Sequence, residues 1–268
     1  VTRRKYVTSR RLDGLHHRLT ETDWQVLAEL RRLRVLTGLQ LQRLVHGSVD
    51  GAKHRRLRQL SRLSRMQVIA RMERRAIGGV GGGSRPSVYV LDVAGLRLVD
   101  ITGQARRPWQ PSTPFIEHAV MVSEVYVQLV EADRRGDAEL LHFDAEPKCW
   151  RHWQDRHGDA VTLKPDADAT LGVGDFELHW FIECDRATES RPRITRKARE
   201  YTDYFETGAE QASRGVTPQV LWIVPDERRK AAIVDALHRL PAEHWHLFAV
   251  AVEANAVAVL TGSSEDAS

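Results

Sequence analysis

Apolar residues in the first hundred positions recur at helical spacing and then give way to short alternating runs. Thr20-Glu21-Thr22-Asp23 pairs a hydroxyl cap with an acid three positions on, the signature of a helix start. Trp24, Leu27, Leu30 and Leu33 continue it with an apolar stripe. A second, shorter helix is expected from Thr37, whose hydroxyl can cap it, through Leu39, Leu41 and Leu44 to Gly47. A third follows Asp50, with Leu57, Leu60 and Leu63 predicted to face inward and basic residues to decorate the rest. Residues 67–71 read as a strand, 78–83 as a glycine-rich turn and 87–91 as the returning strand.

Pro108, Pro111 and Pro114 stiffen a linker over 106–114. Beyond it, Ile116, Val120, Val122, Val125, Val127, Leu129 and Val130 predict a long helix over 115–135. A strand at 140–145 and a polar, Trp-rich loop through Asp159 follow. Two strands, 166–171 and 177–185, are joined by Gly172-Val173-Gly174-Asp175. A helix at 194–205, a buried strand at 218–224, a helix at 226–240 and a strand at 247–252 complete the order αβββαβαβ. The longest apolar runs, 220–224 and 248–259, are short or broken by Glu253 and Asn255. They fall below the roughly 18 residues a membrane helix needs. The amino end carries charge without an apolar segment behind it, so no secretory signal is expected.

Charge divides the chain at Pro108. Residues 1–108 hold 23 Lys and Arg against 8 Asp and Glu, a net +15; the remainder holds 17 against 28, a net −11. The basic half is suited to a polyanion, and its cations lie on patterned helices instead of one lipid-seeking stretch. Double-stranded DNA is the expected partner. Cys149 and Cys184 are far apart and form no CxxC, which excludes a disulfide framework and a zinc knuckle and fits a reducing, cytoplasmic setting.

The third helix carries Lys53, His54, Arg55, Arg56, Arg58, Arg62 and Arg65, with no acid between Lys53 and Met72. Arg74, Arg75 and Arg85 flank the glycine turn. Helices and hairpin in this order, with the run Arg55-Arg56-Leu57-Arg58-Gln59-Leu60 and then Tyr89-Val90-Leu91-Asp92-Val93-Ala94-Gly95, resemble bacterial winged helix-turn-helix regulators over residues 20–100. The resemblance implies a recognition helix in the major groove, with the basic turn as its wing. A merely solvated arginine face is the competing reading. The glycine turn lacks the Gly-Lys-Ser/Thr ending of a phosphate-binding loop.

In the acidic half, Lys164-Pro165-Asp166-Ala167-Asp168 and Glu183-Cys184-Asp185 sit on consecutive predicted strands. Strand alternation puts Asp166 with Asp168, and Glu183 with Asp185, on one face each, so four carboxylates are expected to converge. Such a group needs a metal or a basic neighbour to neutralise it, and oxygen ligands suit magnesium or manganese. Asp166, Asp168, Glu183 and Asp185 are therefore the candidate metal ligands. Arg186 is adjacent, Lys197 can reach back from the next helix, and Glu124 and Glu146 are weaker candidates for the same cleft. The element order and the paired acids resemble the PD-(D/E)XK, restriction-endonuclease-like fold. That likeness implies Asp166, Glu183 and a lysine two residues on as the catalytic set. Asp185 occupies the lysine position, which leaves Asp166, Glu183, Asp185 and a displaced Lys197 as the catalytic candidates.

Taken with Phe181-Ile182-Glu183-Cys184-Asp185-Arg186-Ala187-Thr188-Glu189 and Lys197-Ala198-Arg199-Glu200-Tyr201, the chain resembles the bacterial replication-relaxation family of plasmids and integrative elements. The expected fold is an α+β winged helix-turn-helix domain followed by an α/β restriction-endonuclease-like domain. The expected organisation is a basic flexible arm at 1–19, the winged helix at 20–105, the linker at 106–114, the nuclease-like domain at 115–262 and a tail at 263–268. A tyrosine-dependent relaxase would need Tyr201 or Tyr204 as nucleophile, but their helical spacing equally suits packing. The histidine triad of rolling-circle relaxases is not matched: His152 and His157 lie in a polar loop, and His244-Trp245-His246 leads into the last strand. Two functions follow: a DNA-processing protein that nicks or cleaves with magnesium or manganese, or a DNA-binding regulator or initiator whose second domain is inactive and serves homodimer formation or partner docking.

Overall fold

The computed structural model describes residues 7–72, 87–100, 112–155 and 157–263. Arg74, Arg75, Arg85, the glycine turn and most of the expected linker and tail lie outside the described residues. The chain divides into two compact units, Val1–Val127 and Gln128–Ser268. None of the described helices is long and apolar enough to cross a membrane.

The first unit begins with a helix inside the segment read as a flexible arm. Helix α1 (Ser9–His16) is capped by Thr8 and buries Leu15. Helix α2 (Glu21–Leu33) starts at the expected capping box, in which Thr20 and Asp23 exchange side-chain and backbone hydrogen bonds. Strand β1 (Leu36–Thr37) leads into α3 (Gly38–Val45), whose start is a second capping box between Thr37 and Gln40. Helix α4 (Ala52–Arg65) follows, then β2 (Ile69–Met72), β3 (Val88–Leu91) and α5 (Val93–Val99). The three strands form an antiparallel sheet in the order β1-β3-β2.

Helix α6 (Thr113–Arg135) starts before the expected position, so Thr113 and Pro114 are helical and not linker. Its early turns belong to the first unit. Ile116 and Ala119 join Val35, Ala70, Val88 and Val90 in one buried cluster, and the Ser123 hydroxyl donates to the Val35 carbonyl at 2.8 Å. The expected domain start at 115 therefore falls within a helix shared between the two units.

In the second unit β4 (Glu139–Ala145), β7 (Ala167–Val173) and β8 (Phe176–Cys184) are antiparallel neighbours. Strands β9 (Gln219–Val224) and β10 (Phe248–Val252) extend the sheet in parallel, giving the order β10-β9-β8-β7-β4. The stretch expected to be a Trp-rich loop contains a hairpin, β5 (Arg151–Gln154) with β6 (Ala160–Leu163). Helix α7 (Arg191–Glu206) connects β8 to β9, helped by α8 (Ala209–Arg214), and α9 (Glu227–Leu237) connects β9 to β10. Parallel strands need such crossovers. Ile194, Ala198, Tyr201 and Tyr204 of α7 and Ile233, Ala236 and Leu237 of α9 pack on Phe181, Val220, Trp222 and Val224. On the opposite face the Trp180 indole donates to the Leu260 carbonyl of α10 (Ala256–Leu260) at 3.1 Å.

Candidate functional site

Helix α4 buries Ala52, Gln59, Leu60 and Leu63. Its exposed side carries Lys53, His54, Arg55, Arg58 and Arg65, with Leu57 and Ser61 between them. Leu57, expected to face inward, is 48% exposed, because 57 lies off the line joining 52, 59, 60 and 63 on a 3.6-residue helix. Among the described residues, the side chains of Lys53, His54, Arg58 and Arg65 have no hydrogen-bond or ion-pair partner. Arg55 donates to the Asp50 carbonyl at 3.2 Å, and Arg56 is half-buried against Gln42 at 3.1 Å.

Arg62 is different. It forms an ion pair with Asp23, a fully buried carboxylate that also accepts from Gln59 at 3.0 Å and from the Thr20 amide at 2.9 Å. Burial alone would raise the Asp23 pKa, but the Thr20 amide, Arg62 and Gln59 together hold it below its ordinary value of 3.8. This pair ties α4 to the start of α2, so Arg62 acts as a strut.

In the second unit the register sets Asp168 opposite Phe181 and Thr170 opposite His179. One step beyond the Ala167 and Ile182 pair of the same ladder, Asp166 is opposite Glu183. Directly opposed residues share a face, so Asp166, Asp168, Glu183 and Asp185 do lie on one side of the sheet, the side covered by α7 and α9. They do not converge. Alternate positions along a strand are roughly 7 Å apart, and three distinct cationic partner sets divide the carboxylates. Among the described residues, no three His, Cys, Asp or Glu side chains are gathered as a metal cluster.

Asp168 is held by two arginines. Arg151 Nη2 reaches it at 2.5 Å and Arg214 Nη1 at 2.9 Å. Arg151 Nε also donates to the buried Glu210 at 2.6 Å, and Arg214 Nη2 to Thr170 at 3.0 Å. Asp185 is held bidentately by Arg229, from Nε at 2.5 Å and Nη2 at 2.8 Å. Arg229 also donates to the Glu189 carbonyl at 2.8 Å, while Asp185 accepts from the Ala187 amide at 2.9 Å. Ala187 has φ of 57°, a left-handed turn that an alanine rarely adopts unaided. Asp185 and Arg229 thus fix the turn from β8 into α7.

That turn brings α7 back over Glu183, which is 2% exposed. Lys197 forms an ion pair with Glu183 Oε2, and the Tyr201 hydroxyl donates to Oε1 at 2.5 Å. Asp166, 9% exposed, accepts from the Cys184 amide at 2.7 Å. Burial pushes the Glu183 carboxyl up to about 8 against the pull of Lys197. The influences oppose: burial favours the neutral acid and the ammonium favours the carboxylate. Lys197, for its part, is held above the ordinary lysine range by Glu183 and Asp166 despite its own burial. Of the predicted site residues, Asp166, Glu183 and Lys197 come together.

The weaker candidates separate. Glu124 lies in the first unit, paired with Arg43 and accepting from Gln40 at 2.9 Å. The Glu146 amide donates to the Asp166 carbonyl at 3.1 Å, which puts its backbone beside the cluster. Tyr201 and Tyr204 are both buried, and Tyr204 donates to Glu210 at 2.7 Å. Burial, followed by the neighbouring carboxylates, raises the pKa of both phenols. Packing and carboxylate positioning account for them. Sequence reasoning missed Arg151, Arg214 and Arg229 as partners of the acids, because each comes from a distant element with no motif; the i,i+4 spacing of Glu210 and Arg214 was the one local signal.

A family model described as replication-relaxation matches residues 27–220. No curated protein matches the chain, and no solved structure does. The matched span runs from α2 to the start of β9 and includes α4, Asp166, Glu183 and Lys197. The chain belongs to the replication-relaxation family.

Proposed function

We propose that this protein binds duplex DNA through a winged helix-turn-helix domain and acts in the replication or relaxation of mobile DNA. The observation that carries this reading is the exposed side of α4, where Lys53, His54 and Arg58 stand without carboxylate partners among the described residues. The order α2-β1-α3-α4-β2-β3 around a three-stranded antiparallel sheet supports it, since that is how a winged helix displays its third helix. In the major groove an arginine of α4 recognises guanine by a bidentate contact, and exposed Leu57 suits a thymine methyl group. Lysines and arginines beside them neutralise phosphates and release counterions.

For the second unit the proposal is a restriction-endonuclease-like domain with a phosphodiester-cleaving site at Asp166, Glu183 and Lys197. The αβββαβ order and the mixed sheet support that fold. Magnesium and manganese sites often use one or two carboxylates and retain several waters, and the opposed pair Asp166 and Glu183 fits that chemistry. Asp166 and Glu183 would hold the ion, which when bound supplies an activated water and stabilises charge on a phosphate. Lys197 and Tyr201 orient Glu183, and the Cys184 amide orients Asp166.

A second reading has its own support. Both oxygens of Glu183 are already engaged and the residue is almost fully covered, which favours a domain that no longer cuts and serves dimerisation or docking. Incubation with supercoiled plasmid separates the two. Cleavage that requires magnesium or manganese, and that Asp166→Asn abolishes while duplex binding persists, supports the active site. Binding without cleavage under either metal supports the second reading.

A further inference from the structure

Four arginines line one concavity between α1 and the C-terminal half of α4: Arg11, Arg18, Arg62 and Arg65, over a floor that includes Leu15 and Met66. No carboxylate is among its described lining residues. The four guanidiniums are not equivalent. Arg62 is compensated by Asp23. Arg11 carries no carboxylate partner among the described residues but is fixed in place, since its Nη2 donates to the Met66 carbonyl and to Gln67 Oε1, both at 3.0 Å. Arg18 and Arg65 are exposed and have no partner among the described residues. Three cations without carboxylate partners therefore surround one crevice, one of them held rigidly. Gathering like charges in this way is unfavourable until an anion enters.

A second concavity continues the first. It shares Arg62 and Arg65 and runs along α4 past Arg58 to Arg55, against Thr20 and Thr22 at the start of α2. The arginines thus form a track from the exposed side of α4 to α1. Guanidinium forks match the geometry of phosphate oxygens, and a fixed fork such as Arg11 loses little freedom on binding.

We infer that the crevice between α1 and α4 is a second phosphate-binding site, which grips the DNA backbone next to the segment read by α4. The inference rests on the duplex-binding reading of α4. It assigns to the amino-terminal helix a role separate from base recognition: phosphate contacts set register and strength without sequence preference.

Titration of the full chain with duplex DNA over a series of salt concentrations tests it. The double variant Arg18→Gln/Arg65→Gln should reduce the slope of log affinity against log salt by about 1.8, at roughly 0.9 for each phosphate no longer neutralised. Affinity at physiological salt should fall on the order of tenfold, equally for different duplex sequences. Arg18→Lys/Arg65→Lys should retain most of the slope. An unchanged slope in the glutamine variant, while Arg58→Gln weakens binding, overturns the crevice assignment and leaves the α4 reading intact. Absence of duplex binding by the parent chain overturns both. Calorimetry with inorganic phosphate alone distinguishes the source: binding of free phosphate by the parent, lost in the glutamine variant while the duplex slope is unchanged, contradicts a backbone-binding role.

Discussion

Asp185 is bound to the Arg229 guanidinium in a nearly dry setting, the two side chains being 4% and 13% exposed. Removing one partner of such a pair leaves the other charge buried and unpaired, at a cost of about 3 kcal/mol. Asp185→Ala should lower the unfolding free energy by about that much in a denaturant titration, and adding Arg229→Ala should cost much less than a second full penalty. Additive losses would show that the two act independently. Asp23 makes a separate pH prediction. Its folded pKa lies below the ordinary 3.8, so its stabilisation is complete above the unfolded value and disappears as pH falls through the folded one. Melting temperatures should therefore drop in acid below about pH 4, and less steeply in Asp23→Asn, whose starting stability is lower.

Helix α5 packs so closely on the backbone leading into β2 that a Cβ added to Gly95 would sit 2.2 Å from the Val68 carbonyl oxygen. Gly95→Ala should destabilise the first unit by about 2 kcal/mol through forced displacement of that backbone, seen as a lower melting temperature with unchanged secondary structure. The same unit shows which elements were legible from sequence. Thr20 with Asp23, and the Thr37 hydroxyl, marked their helix starts because capping is local. The strands carrying Asp166 and Glu183 were legible from alternation and their glycine turn. Helix α1 and the β5–β6 hairpin were not, since Leu15 is the one core residue of α1 and the hairpin alternates weakly in a polar stretch. The site divided in the same way. The placement of the acids on one face followed from period two, whereas their separation by Arg151, Arg214 and Arg229 depends on a hairpin strand and two helices distant in sequence, which no local pattern encodes.

The whole chain divides its charge at Pro108. A net +15 through Pro108 and −11 after it accompany a basic helix in one unit and a set of individually compensated carboxylates in the other. The replication-relaxation family match, residues 27–220, spans parts of both units. The proposed affinity for duplex DNA, with α4 as its source, is the claim on which the rest of the functional reading depends. The most direct test compares duplex binding by the parent chain and by Lys53→Gln/Arg58→Gln, two exposed side chains of α4, over a range of salt. Tight, salt-dependent binding by the parent is expected, with the variant's slope shallower by about 1.8 and its melting temperature unchanged. Equal affinity and equal slope in the two proteins would contradict the account.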